Sequence, residues 1–280
     1  MTIGIGAAVR TSADHAAHAA GAGSGLAAWL VPALLALALL AAYGAGARAY
    51  RRRRGRPWDP RRTASWVLGA LLVAAAVSPP ASAWAHADPR GHMAQHLVLG
   101  MYAPLALVLA APVSLLLGAS EPPTARRVTA VLRQRGVHVL SHPGVAAVLA
   151  TGSLFVLYLT PLYALTLTEP VVHTALNVHL VLAGALYTWA IAGPDPAPRR
   201  PGMGVRVGVL LLSAGAHAFL AKLLYARAGD PAGEAAAQWM YYGGDVAELL
   251  LATALFAWWY EYRPGQARRS RATRKPAPST

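Results

Sequence analysis

HMAQHLVLGMYAPLALVLAAPVSLLL, residues His92 to Leu117, opens with three polar side chains and then runs apolar for long enough to cross a bilayer, which takes about 20 residues. At about 100° per residue, His92, Gln95 and His96 share one helical face, and Met93 stands one step to its side. Imidazoles spaced i and i+4 can bite one metal ion. They can equally cap a helix and meet water at a membrane boundary, so the rest of the chain has to weigh the two readings.

Composition settles the class. The chain has 280 residues, is 56% hydrophobic and only 13% charged, which leaves too little polar surface to coat a soluble globule. An all-α, polytopic membrane bundle follows. The net charge of +14 does not signal nucleic acid, because the basic residues sit between long apolar runs without interleaved aromatics. There is no cysteine, which excludes disulfides and thiolate metal sites and leaves His, Met, Asp and Glu as ligands.

Hydropathy predicts seven spans. They cover Leu26–Tyr43, Thr63–Ala83 with a kink at Ser78, Pro79 and Pro80, His92–Leu117 with bends at Pro104 and Pro112, Gly144–Tyr163, Val171–Ala192, Val205–Tyr225 and Trp239–Tyr260. Residues 1–24 read as a flexible outer tail, 25–260 as the membrane domain and 261–280 as a basic cytoplasmic tail. Between Gly118 and Pro143 an amphipathic surface helix is expected to begin at Val128–Leu132. Basic residues fix the orientation, since 21 of the 25 Lys and Arg fall on one side if the N-terminus is outside and the C-terminus cytoplasmic. Only Arg10, Arg90, Lys222 and Arg227 fall on or near the outer side.

In that frame the intramembrane polar groups gather toward the outer face. His92 and His96 open the third span at its watery mouth, and His173 and Asn177, again i and i+4, open the fifth. His217 lies on the sixth span about 12 to 15 Å below its outer end, with Ser213 a turn further in. The seventh carries a polar stripe of Gln238, Tyr241, Tyr242, Asp245 and Glu248. Ionisable groups inside a bilayer cost about 2.5 to 3.5 kcal/mol each on insertion scales and therefore face partners in the bundle. His179 reads as a histidine bonded to a neighbouring helix and Glu248 as a partner for Lys222. The grouping of His92, His96, His173, His217 and Asp245 instead suggests one shared site.

Imidazole with thioether from Met93, Met101 or Met240, and no thiolate, suits copper; histidine-ligated haem is the other candidate. Haem needs axial ligands on opposite faces of the macrocycle, whereas tight i and i+4 pairs favour a small ion. A retinal pump would need a lysine deep in the last span, where there is none. The expected ligands are His92, His96, His173 and His217, with Asp245 accepting a ring N–H proton and with Met93, His179 and Met240 as additional candidates.

The HMAQH opening, SHPGVAAVL from Ser141, the His173 to His179 segment, the GPDP loop at Gly193 and YYGGDVAELLL from Tyr241 resemble the bacterial cytochrome c oxidase assembly proteins of the CtaG kind. The resemblance runs over about Thr63 to Tyr260. It implies a multi-pass protein of the bacterial plasma membrane that is not an enzyme, helps to mature a haem-copper oxidase and has copper delivery as its usual proposed role. Its motif positions here are His92, His96, His142, His173 and His179. His142 and His138 fall on the cytoplasmic side, so a separate inner or helix-capping role is expected for His142. The implied partners are oxidase subunits, the lipid bilayer and an outer-face copper donor; a membrane transporter of copper or haem stays open as the alternative.

Overall fold

The computed structural model describes the backbone of residues 5–197 and 200–273 and the side chains of 25–197 and 200–261. The flexible tail expected over 1–24 and the basic tail over 261–280 lie, Glu261 apart, outside the residues described with side chains. Every regular element among the described residues is helical. In chain order they are α1 (Ile5–Arg54), α2 (Pro60–Ala76), α3 (Pro79–Ala87), α4 (Pro89–Leu97), a π turn at Val98–Tyr102, α5 (Ala103–Leu109), α6 (Pro112–Ala119), α7 (Pro122–Leu132), α8 (Arg135–Leu140), α9 (Pro143–Ala147), a second π turn at Val148–Gly152, α10 (Ser153–Leu159), α11 (Leu162–Thr168), α12 (Pro170–Ala192), α13 (Met203–Arg227) and α14 (Pro231–Thr273).

Among the described residues four stretches are long and apolar enough to cross a membrane: Gly25–Arg54, Pro89–Ala119, Pro170–Ala192 and Met203–Arg227. Two bent pairs raise the number to six, α2 with α3 at 54° and Pro143–Leu159 with α11 at 81°. Prolines make both bends, Pro79 opening α3 and Pro161 following the extended residue Thr160. The fourth expected span therefore ends at Leu159, and Tyr163 belongs to a short crossing helix. The seventh expected span lies within α14, whose apolar run is interrupted by Asp245 and Glu248 and which is not among the six. The surface helix α7 begins at Pro122, earlier than its apolar stripe suggests, because Pro122 and Pro123 suit a first helical turn.

The stretch from Pro89 to Ala119 is the axis of the bundle, and its two prolines shape it in different ways. Pro104 cannot donate to Gly100, and the turn before it widens into the π segment. Before Pro112 the chain breaks at Ala111, which takes a left-handed φ of 55°. α12 crosses here so closely that a Cβ on Gly184 would stand against the Gly100 carbonyl oxygen. In lipid such small-residue contacts hold helices together where the hydrophobic effect cannot. Around this crossing lie two apolar clusters, one with Leu99, Leu154, Leu180 and Leu220, the other with Leu105, Ile191, Leu210 and Leu255.

One end of the bundle carries the arginines and is tied by polar bonds. The GPDP loop explains itself here: buried Asp195 accepts hydrogen bonds from the backbone N–H groups of Val113 (3.0 Å) and Ser114 (2.7 Å), capping α6 just after the break. Tyr43 donates to the Ala110 carbonyl (2.8 Å) and accepts from Trp58 (2.8 Å), which fastens α1 to the same break. His142 caps α9 through Nδ1, which accepts from Gly144 N–H at 3.2 Å, the capping role expected from its place in the chain.

Candidate functional site

His86, His92, His96, His173 and His217 collect away from that end, along α4 and the elements around it. α4 starts at Pro89, its first turn capped by Asp88, which accepts from Arg90 N–H at 2.8 Å and pairs with the Arg90 guanidinium at 2.6 Å. That pairing holds the Asp88 carboxyl below the usual carboxylate range. From this start His92 and His96 project into the bundle and not into a watery mouth, at 4% and 2% exposure. The sequence places them at a span's opening; the crossing helix α11 and the end of α10 bring Tyr163 and Tyr158 over them. Tyr163 lies 4.9 Å from His92, and Tyr158 lies 6.1 Å from both His92 and His96, all between ring centroids.

Two further histidine contacts extend the line at either end. Outward, His173 of α12 packs its ring 4.6 Å from His86 at the end of α3, and both stand near His92. Inward, His217 of α13 lies 6.3 Å from His96 with nearly parallel rings. A Cβ on Gly244 of α14 would overlap the His217 ring, so glycine is what admits the imidazole against that helix. Beyond His217, at 3.9 Å from its Nδ1, stands the Glu248 carboxylate.

The polar atoms along this line are unusually poor in partners. Among the described residues no hydrogen bond reaches Nδ1 of His92, Nδ1 of His96, Nε2 of His217 or either ring nitrogen of His173, although the Thr166 backbone stands close to the last. Each such buried group costs about 1 to 3 kcal/mol unless something completes it. Neutral imidazoles with free lone pairs are ligands for soft or borderline cations.

The expected residues thus fall into distinct places. His92, His96, His173 and His217 lie along one line, but among the described residues no three His, Asp or Glu side chains close on one metal position. Asp245 is half-buried beside Glu248; Glu248 is the carboxylate next to His217. Lys222, expected to pair with Glu248, instead lies 5.2 Å over the ring of Tyr241. Met93 takes a weak bond from the Tyr158 hydroxyl at 3.8 Å, and Met240 is wholly buried in the apolar cluster. His179 bonds the Leu149 carbonyl through Nε2 at 3.2 Å, as a histidine held by a neighbouring helix should.

The sequence did not single out His86, Tyr158 or Tyr163 for this region. His86 had a signal, being a third histidine in the segment WAHADPRGHMAQH. Tyr163 had none, because α11 reaches the site only through an 81° bend.

Among the described residues, an all-helical bundle with several membrane-length spans and a line of buried histidines is that of a polytopic membrane protein. Residues 41–262 match the family of cytochrome c oxidase caa3 assembly factors (Caa3_CtaG), and the chain belongs to that family. It is also similar to uncharacterized proteins of Mycobacterium tuberculosis and Mycobacterium bovis, at 36% identity over 184 residues in each case. An uncharacterized protein of Mycobacterium leprae is 32% identical over 175 residues. These alignments take in 63%, 63% and 60% of this chain but only 28%, 28% and 27% of the respective relatives, so the chain corresponds to little more than a quarter of their length. No solved structure matches it.

Proposed function

We propose that the protein is an assembly factor of the bacterial plasma membrane that helps to mature a haem-copper cytochrome c oxidase by presenting or transferring copper at the outer face, and that it is not itself an enzyme. Family membership supports the oxidase part of this reading. The observation that carries the copper part is the line His86, His173, His92, His96 and His217, in which four of the five histidines are buried with at least one ring nitrogen lacking a protein partner. The cargo is Cu(I), since imidazole and thioether without thiolate suit that ion and the chain has no cysteine. A seven-span arrangement with the N-terminus outside puts the His86 end at the outer face, where an outer copper donor and the oxidase subunits would meet it, and 21 of 25 basic residues inside favour it. Passage of copper or haem right through the bundle is less well supported, because past Glu248 the line gives way to the cluster of Ile191, Leu210, Leu251 and Leu255.

The test is the copper content and activity of the oxidase in cells whose own copy is replaced by the His92→Ala/His96→Ala double variant. Loss of oxidase copper with normal abundance of the variant is expected. Full oxidase activity at normal copper would overturn the reading.

A further inference from the structure

Two π turns in one bundle is a second, independent feature of this region. Val98–Tyr102 and Val148–Gly152 belong to different helices, yet both border the same small cavity, one through Gly100 and Met101, the other through Ala150 and Thr151. π turns concentrate at functional sites, since the extra residue widens the helix and frees backbone groups there. His96 and His217 supply the imidazoles of the cavity wall and Glu248 its carboxylate.

Its size restricts what it can take. At about 40 Å³ it has room for one ion or a water or two, and none for haem or an organic substrate. Its chemistry restricts the occupant further. His96 Nδ1 and His217 Nε2 lie on rings exposed by only 2% and 3% and have no partner among the described residues. No lysine or arginine lines the cavity. Lone pairs, a thioether and a carboxylate without a cationic side chain select a cation. Zinc takes two imidazoles and a carboxylate where all three close on one point, and among the described residues no three His, Asp or Glu side chains do so. A monovalent d10 ion accepts two or three soft donors, and its single charge is balanced by one carboxylate.

We infer that this cavity is a holding site for one Cu(I) ion, with His96 and His217 as imidazole donors, Met101 as thioether donor and Glu248 balancing the charge, distinct from the His86–His173 pair at the mouth. The inference rests on the copper reading and adds to it where the ion resides. The mouth pair handles copper in transit; the cavity retains it.

Full-length protein purified in detergent is loaded anaerobically with Cu(I), or separately with Zn(II), desalted, and measured by elemental analysis and copper X-ray absorption. Wild type should keep about one copper per chain, the most such a cavity holds, and no zinc. His96→Asn and His217→Asn should each lose copper at least tenfold, and His173→Ala should keep it. Copper retained in both Asn variants would overturn the site. Copper lost in His173→Ala but kept in His217→Asn would also overturn it, placing the ion at the mouth and leaving the proposed function standing. Absence of copper from wild type would remove both. Zinc held as firmly as copper would overturn the assigned donor set. Should the Asn variants fail to accumulate, Met101→Leu decides, being a volume-conserving change: loss of the sulfur contribution from the copper spectrum supports the site, and an unchanged spectrum overturns it.

Discussion

Asp195 and His217 are equally buried, each 3% exposed, but the protein treats them in opposite ways. Asp195 is matched: two backbone N–H groups donate to its carboxylate, and Arg200 donates to its backbone carbonyl at 2.8 Å. Arg206 next to it donates to the Ile191 carbonyl at 3.0 Å and lies 4.5 Å over the Trp258 ring. Burial and the neighbouring Arg206 bring the Arg200 guanidinium down to about 10, which still leaves it charged at neutral pH. His217 keeps Nε2 without a protein partner, as do the other buried histidines of its line at one nitrogen or more. A polar group that has been matched holds the fold. One that has been desolvated and left unmatched is a cost the fold carries; Arg200 Nε and Arg206 Nε carry such a cost at the matched end, but at His92, His96, His173 and His217 these costs gather along one line, as they do where a site binds something.

The largest stability effect should come from the matched end. Asp195→Ala would strip two charge-assisted bonds from the start of α6 and leave its N–H groups buried, a loss on the order of 3 kcal/mol or more. Thermal denaturation in detergent and abundance in the membrane measure it. If Asp195→Ala were as stable as wild type, the contrast between the two regions would be lost.

A smaller loss is expected from Gly184→Ala, which tests the crossing that both regions share. Its new methyl group would stand against the Gly100 carbonyl, and relieving that overlap costs about 1 to 3 kcal/mol in a packed interior. Because Gly100 belongs to the π turn beside His96, the same variant should also disturb the histidine line and so lower oxidase maturation. A variant that loses stability but keeps full maturation would separate the crossing from the site.

His92→Ala and His96→Ala reverse that balance. Each removes a ring whose Nδ1 gains nothing from the protein, so stability should change by about 1 kcal/mol or less, the lost packing being offset by relief of an unpaired buried group. Oxidase maturation should nonetheless be lost. Variants that vanish from the membrane would show these histidines to be packing residues and would dissolve the distinction drawn from Asp195.

How far the sequence could lead depended on whether a feature was local. Pro79 and Pro80 announce the bend between α2 and α3, Pro112 marks the break at Ala111, and the placement of His142 before Pro143 points to a cap; each is a property of a few adjacent residues. The face shared by His92 and His96 is legible for the same reason. Burial of that face was not, because it depends on α11 folding across it after Pro161. Nor could spacing choose between Asp245 and Glu248, three residues apart on α14, as the carboxylate beside His217. That choice is made by Gly244, which lets the ring approach, and by the rotation of α14 against α13. The GPDP loop stood out as a motif, but its work, capping a helix some 80 residues earlier in the chain, required the fold.

The smallest effect is expected at Asp88, a matched carboxylate that, unlike Asp195, is near the surface. It caps α4 and pairs with Arg90, and the hydrogen bonds from that residue depress its carboxyl. Because the folded value lies below the unfolded one of about 3.9, its contribution is fully present above that pH and fades as pH falls through the folded value. Asp88→Asn keeps an oxygen for the Arg90 N–H but gives up the charge pairing, which in water is worth little. At neutral pH the variant should melt with wild type, within the error of the measurement, and retain its copper. Any small deficit should shrink as pH falls below the unfolded value of about 3.9 and on through the lower folded one, where wild-type Asp88 itself loses its charge. The comparison of the two proteins at each pH cancels the protonation of the histidines, which both share. A deficit at neutral pH approaching that of Asp195→Ala would mean that matching alone, irrespective of burial, sets the weight of a polar contact here, and the difference between the two carboxylates would have to be sought elsewhere.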